Sequence, residues 1–143
     1  MPVRTANAQW NGSLMDGKGT MAFGSGAYEG SYSFKSRMEE GPGTNPEELI
    51  GAAHAGCFSM AFAAGLTKAG FTPTFVRTKA TVRFDKQEAG FAITGITLAT
   101  EVAAPGIDEA TFQQQAQAAK ENCPVSKALA AVNIQLDARL VQG

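Results

Sequence analysis

Two cysteines and one histidine carry nearly all the reactive chemistry of this 143-residue chain. Cys57 lies near the middle of residues 49–66, LIGAAHAGCFSMAFAAGL, a stretch free of Asp, Glu, Lys and Arg. Cys123 stands far downstream in Asn122-Cys123-Pro124, a helix-start signature because Asn caps well and Pro tolerates the first helical position. A thiol attacks only as its thiolate, so its chemistry depends on what stabilises negative charge at the sulfur. Exposed backbone N–H groups at a helix start do so for Cys123, which makes it the more acidic thiol by local electrostatics. Cys57 shares a helical stripe with Ile50, Ala53, Met60, Ala61 and Ala64, where a cysteine can act simply as a small hydrophobe. As a nucleophile it would need a cation. Arg37, placed by the pattern at the end of the preceding strand, is a candidate, and Glu47 could hold its guanidinium by a bidentate pair. The alternative is two unrelated solvated charges. His54, three residues before Cys57, makes a His-Cys-Cys zinc site conceivable, although three ligands without close spacing fit a metal poorly.

The elements that position these residues are legible from periodicity. Residues 3–36 alternate in short stretches, such as Ala6, Ala8, Trp10 and Tyr32, Phe34, between Asn-Gly and Asp-Gly turns, which predicts a β-meander. After the loop MEEGPGT, Asn45 caps a helix, Pro46 opens it and Glu48 is placed to close a capping box. That helix runs to about Gly70, roughly 24 residues or ~36 Å. Residues 49–66 reach the length that raises a membrane span. Half of them are Ala or Gly, His54 lies inside and amphipathic strands flank them, so a helix enclosed by protein is expected instead. Covering such a helix on every side asks for a second copy of the chain.

Downstream, Ala80, Val82 and Phe84 alternate with Lys79, Thr81 and Arg83, then turn through DKQEAG into a second strand. That strand starts with Phe91 and Ile93 inward and slips phase at Gly95, as a β-bulge would make it. Asp108 caps a helix to about Glu121, with Ile107 and Phe112 as a hydrophobic staple. A short helix follows Cys123. Val132, Ile134, Leu136 and Leu140 then mark a closing strand. The order predicts one α+β domain over residues 1–143.

Twelve basic and thirteen acidic residues are scattered without runs, which argues against nucleic-acid or anionic-membrane partners. The first ten residues lack the pattern of a secretory signal, so a reducing, cytoplasmic setting is expected. There a cysteine pair serves catalysis or metal binding more often than it staples a fold.

GTNPEELIGAAHAGCFSMAF, with GFTPT, GFAIT, VAAPGID and NCPVSKAL, resembles the osmotically inducible protein C (OsmC) family, kin of the organic hydroperoxide resistance proteins. The resemblance covers essentially the whole chain and favours the osmotically inducible branch. It implies an intertwined α+β homodimer with two active sites at the subunit interface, and a thiol-dependent peroxidase without a metal or other cofactor. By the same resemblance Cys57 is the peroxidatic cysteine, Cys123 the resolving one, and Arg37 and Glu47 the pair that activates the thiolate. The implied substrate is an organic hydroperoxide, and the implied reductant an external dithiol such as a dihydrolipoyl group on a lipoylated protein. Phe58, Met60 and Phe62 are apolar neighbours suited to an alkyl chain. A non-catalytic binding domain and a metal-bound redox sensor are the competing readings.

Overall fold

The structure is a computed structural model and describes residues 2–143. The chain packs as two compact units that meet at Leu49/Ile50 in sequence. In the first, β1 (Ala6–Asn11), β2 (Lys18–Phe23) and β3 (Glu29–Tyr32) form an antiparallel meander. Gly19 on β2 pairs with both Trp10 and Tyr32, whose rings meet across it at 5.3 Å. A Cβ on Gly19 would lie 2.5 Å from the Tyr32 ring and 2.7 Å from Trp10, so the ring contact requires glycine.

Residues 33–36 depart from the strand reading. Ser33 and Ser36 close a reciprocal capping box that starts a short helix, α1 (Phe34–Met38). Arg37 therefore sits on a helix and not at the end of a strand. Helix α2 (Pro46–Lys68, 23 residues) begins as expected, with the Asn45 side chain accepting from the Glu48 N–H at 2.8 Å. Glu48 does not complete a capping box, because its carboxylate accepts the Thr44 hydroxyl instead at 2.8 Å. Past its end, Gly70 at φ +99° turns the chain and lets the Phe71 N–H reach the Leu66 carbonyl.

The second unit begins within α2 and continues through β4 (Phe75–Gln87), β5 (Gly90–Ala103), α3 (Glu109–Asn122), α4 (Pro124–Ala128) and β6 (Asn133–Leu140). Its sheet runs β4-β5-β6, antiparallel then parallel. The register shifts opposite Arg83/Phe84: Arg83 pairs with Gly95 and Phe84 with Ile93, which leaves Thr94 as the extra residue beside Gly95. Phe91 does not point inward. It is 52% exposed and stacks on Phe84 at the hairpin tip, where no core is within reach.

Buried positions along the second-unit part of α2 are Gly51, His54, Phe58, Phe62 and Leu66, one stripe at helical spacing. Phe58, Phe62 and Leu66 pack with Ile96, Leu98 and Val102 of β5, Phe112, Ala116 and Ala119 of α3, and Cys123. The Phe58, Phe62 and Phe112 rings are in contact at 5.6 and 5.4 Å. Gly51 brings α2 close to the sheet, since a Cβ there would be 3.3 Å from Val82. The Ser59 hydroxyl bonds Thr78 at 2.8 Å, and Thr78 bonds the buried Thr100 at 3.0 Å, which pins helix to strands through polar contacts as well. The opposite stripe, Ala52, Ala53, Gly56, Met60 and Ala64, is exposed in the single chain. By length and composition α2 could cross a membrane; 28% of its most apolar 18-residue window is buried.

Candidate active site

Cys57 projects from the middle of α2, half-buried, and Cys123 is fully buried at the junction of α3 and α4. Cys123 ends one helix and begins the next. Its N–H bonds the Ala119 carbonyl, and its own carbonyl accepts the Lys127 N–H. Pro124 occupies the first position of α4, so the free N–H groups of that turn belong to Val125 and Ser126. The packing of α2 against this junction brings the two sulfurs to 3.0 Å, both reduced. A disulfide needs about 2.05 Å, so roughly 1 Å of sulfur movement separates the two states.

One proton lies between the two sulfurs, and drawing it on Cys123 or on Cys57 are both possible. The surroundings move the two thiols in opposite directions. Burial alone would raise its thiol, but hydrogen bonds from Cys57, from the Ser126 N–H and hydroxyl, and from the Val125 N–H outweigh it and bring the net direction down. Cys57 moves the other way, because burial and the bond with Cys123 raise its thiol against a weaker opposing contact from the Val125 N–H. The direction at Cys123 is the one the helix-start argument expects, and burial works against a thiolate at Cys57.

Arg37 and Glu47 do pair, within the first unit. Arg37 Nη2 lies 2.8 Å from Glu47 Oε1, and Nε donates to the same carboxylate at 2.8 and 3.3 Å. The Glu47 side chain is 9% exposed and that of Arg37 37%. A local clamp sets this geometry: the Ser36 hydroxyl donates to the Thr44 carbonyl at 2.7 Å and the Asn45 amide to the Ser36 carbonyl at 3.0 Å, tying α1 to the start of α2.

His54 does not face the sulfurs as a third ligand. Its Nε2 meets Ser126 Oγ at 2.7 Å, and among the described residues no three His, Cys, Asp or Glu side chains are grouped to hold a metal ion. Phe58 and Phe62, expected beside a substrate, are 0% exposed in the core, whereas Met60 is 78% exposed. Sequence reasoning missed Ser126, although Cys-Pro at a helix start signals that the next two residues carry the donors. A cleft of about 400 Å³ on the sheet is lined by Arg77, Lys79, Glu101, Asp137 and Arg139 among others, and includes neither cysteine.

Comparison with known proteins gives this geometry its context. Residues 39–137 match the family model described as OsmC-like protein. The chain is 53% identical over 138 residues, 96% of each protein, to peroxiredoxin OsmC of Escherichia coli (strain K12). It is 35% identical over 89 residues, 62% of this chain and 61% of the relative, to an organic hydroperoxide resistance protein of Xanthomonas axonopodis pv. citri (strain 306). The crystal structure of the organic hydroperoxide resistance protein OhrB of Bacillus subtilis superposes with a TM-score of 0.71 at 27% identity, covering 96% of this chain and 98% of that one. The α+β architecture is thus a shared one, and the chain belongs to the OsmC-like protein family.

Proposed function

We propose that the chain is a two-cysteine thiol peroxidase that reduces organic hydroperoxides, and hydrogen peroxide less efficiently. The observation that carries this reading is the 3.0 Å approach of Cys57 and Cys123 in a chain 53% identical to a peroxiredoxin. The Cys57 thiolate attacks the peroxide O–O bond; an alkoxide leaves, takes a proton and departs as the alcohol, and Cys57 is left as a sulfenic acid. The Cys123 thiolate attacks that sulfur. An S–S bond forms, the S–O bond breaks, and the departing hydroxide takes a proton to leave as water. An external dithiol then reduces the disulfide by exchange. The family resemblance supplies its class, a dihydrolipoyl group.

Arg37, held by Glu47, is the cation that the Cys57 thiolate requires, in the role the resemblance gives it. The active form is a homodimer in the cytoplasm. Its support is the exposed small-residue stripe of α2 and the thin burial of the first unit, where Gly19, Ser36, Thr44 and Glu47 alone are buried among the described residues. The whole chain works as one domain, a reading supported by a family match that crosses the boundary between the units.

The test is consumption of cumene hydroperoxide with dihydrolipoamide as the reductant, beside hydrogen peroxide. Turnover, with a Cys57–Cys123 disulfide in the peptide map of protein treated without reductant, is expected. Thiols inert to both peroxides would favour a binding domain.

A further inference from the structure

His54 is the chain's only histidine, fully buried, and the reaction as written gives it no task. Its Nε2 is 2.7 Å from the hydroxyl oxygen of Ser126, itself buried, and its Nδ1 has no hydrogen-bond partner. The ring therefore commits its hydrogen bonding to Ser126. His54 precedes Cys57 by three residues on α2, and Ser126 follows Cys123 by three at the start of α4. Three residues make nearly one helical turn, so each polar partner lies about a turn from a sulfur. The same two segments are joined twice, by the 2.7 Å contact and by the 3.0 Å approach of the sulfurs, like neighbouring rungs.

The rungs differ in what the reaction does to them. The sulfur rung passes from a thiol contact through a sulfenic acid to a bond of about 2.05 Å. The polar rung takes no part in that chemistry. Its geometry is narrow, because a hydrogen bond weakens steeply once its angle or distance is lost, and breaking this one would leave two buried polar groups unpaired. A second polar anchor lies two residues past Cys57. There the Ser59 hydroxyl donates to Thr78, Thr78 to Thr100 and Thr100 to the Arg77 carbonyl, at 2.8, 3.0 and 3.1 Å. That chain ties α2 to β4 and β5 and ends on the sheet, not on the segment that carries Cys123.

We propose that His54 and Ser126 are positioning residues for the sulfur pair: their hydrogen bond holds the start of α4 against α2 and so keeps Cys123 within bonding reach of Cys57 while the sulfur rung opens and closes. This deepens the peroxidase reading and rests on its use of both cysteines. Proximity of this kind acts as an effective concentration of one thiol for the other, which favours the disulfide over the two thiols. It also shortens the life of the sulfenic acid. A sulfenic acid that waits meets a second peroxide, which transfers one oxygen to the sulfur and leaves as the alcohol, giving a sulfinic acid that Cys123 cannot resolve.

The experiment equilibrates the full-length protein at pH 7 with mixtures of lipoamide and dihydrolipoamide, without peroxide, and reads the disulfide fraction by thiol alkylation and mass spectrometry. Dihydrolipoamide gives two electrons and two protons to the protein disulfide and closes to its own cyclic disulfide. His54→Met/Ser126→Ala removes both polar partners and strands neither. It should shift the equilibrium toward the dithiol about tenfold, a midpoint about 30 mV less negative. His54→Gln, whose amide N–H can stand where Nε2 does, should return the equilibrium to that of the unmodified protein. Ser59→Ala, which cuts the anchor to the sheet, should leave it unmoved. Should the double variant not fold, Ser126→Ala alone carries the same expectation.

An unmoved equilibrium in the double variant, a shift as large in Ser59→Ala, or no recovery in His54→Gln overturns the inference and leaves a satisfied buried pair. A separate arm with excess cumene hydroperoxide should show several-fold more Cys57 sulfinic acid in the double variant, and equal amounts would overturn the inference as well. In that arm an unmodified protein that forms neither sulfenic acid nor disulfide overturns the peroxidase reading, while the lipoamide equilibrium still decides on the polar rung.

Discussion

The two units of the chain divide the labour unequally. The second buries Phe58, Phe62, Leu66, Ile96, Leu98, Val102 and Phe112 in one cluster and holds both sulfurs on it. The first buries no large apolar side chain among its described residues, yet carries the Arg37–Glu47 pair, held by hydrogen bonds between short segments. A sulfur pair whose spacing must be reproducible sits on a close-packed core, where side chains have little freedom. The Arg37–Glu47 pair sits on a looser scaffold, held by polar contacts between short segments and not by a packed core.

The comparison breaks first at the sulfurs. Cys57→Ser should abolish peroxide reduction in the first turnover, because a serine hydroxyl without an adjacent base is a poor nucleophile. Cys123→Ser should consume about one equivalent per subunit and stop as a Cys57 sulfenic acid, visible as a trapped adduct by mass spectrometry. An adduct on Cys123 in a Cys57→Ser protein that keeps its first turnover would reverse the two roles.

Next comes the core. Phe62→Ala should cost about 3–5 kcal/mol in urea unfolding, since it empties the middle of the aromatic contact with Phe58 and Phe112. Arg37→Met keeps the apolar stem and removes the charge. It should lower peroxidase activity at neutral pH about tenfold to a hundredfold and move the rate profile to the alkaline side. An unchanged profile would reduce Arg37 to a structural partner of Glu47.

A smaller effect tests His54. Its folded form titrates below the ordinary 6.5, so above that pH neither state holds the proton and stability is full. As pH falls below about 6.5 the unfolded chain binds a proton the folded chain refuses, and stability drops by up to about 1.4 kcal/mol per pH unit. His54→Met should remove that part of the acid dependence in denaturation curves. Smallest of all, Leu14→Ala in the first unit should change stability by no more than about 0.5 kcal/mol, because Leu14 is 64% exposed. A large loss there would mean that the meander carries packing which the single chain does not display.

Local chemistry made much of this legible. Asn45-Pro46 and Asn122-Cys123-Pro124 declare helix starts within three residues, and the alternation of residues 132–140 declares a strand and its inward face. The roles of the two cysteines came from the family resemblance, while the residues alone pointed to the acidity of Cys123 and to Arg37 and Glu47 as a candidate pair. What escaped depended on partners distant in sequence. The 3.0 Å sulfur approach and the His54–Ser126 bond each join α2 to the α3–α4 junction. Phe91 follows the alternation of its strand, but the hairpin carries it beyond the sheet's covered face. Helix α1 is five residues long, too short for periodicity to register, and its start relies on serine where a capping box usually has Glu or Gln.

Cys123 caps the end of one helix and the start of another, and it lies 66 residues from Cys57 in sequence. Joining them would close a loop of that size, which by chain entropy disfavours the unfolded state by about 4 kcal/mol. The relation runs both ways: whatever oxidation adds to the fold, the fold adds to the persistence of the oxidised form. A chain that has met peroxide is thus tougher toward heat and proteases than one that has not, and it keeps a record of the encounter until a dithiol erases it.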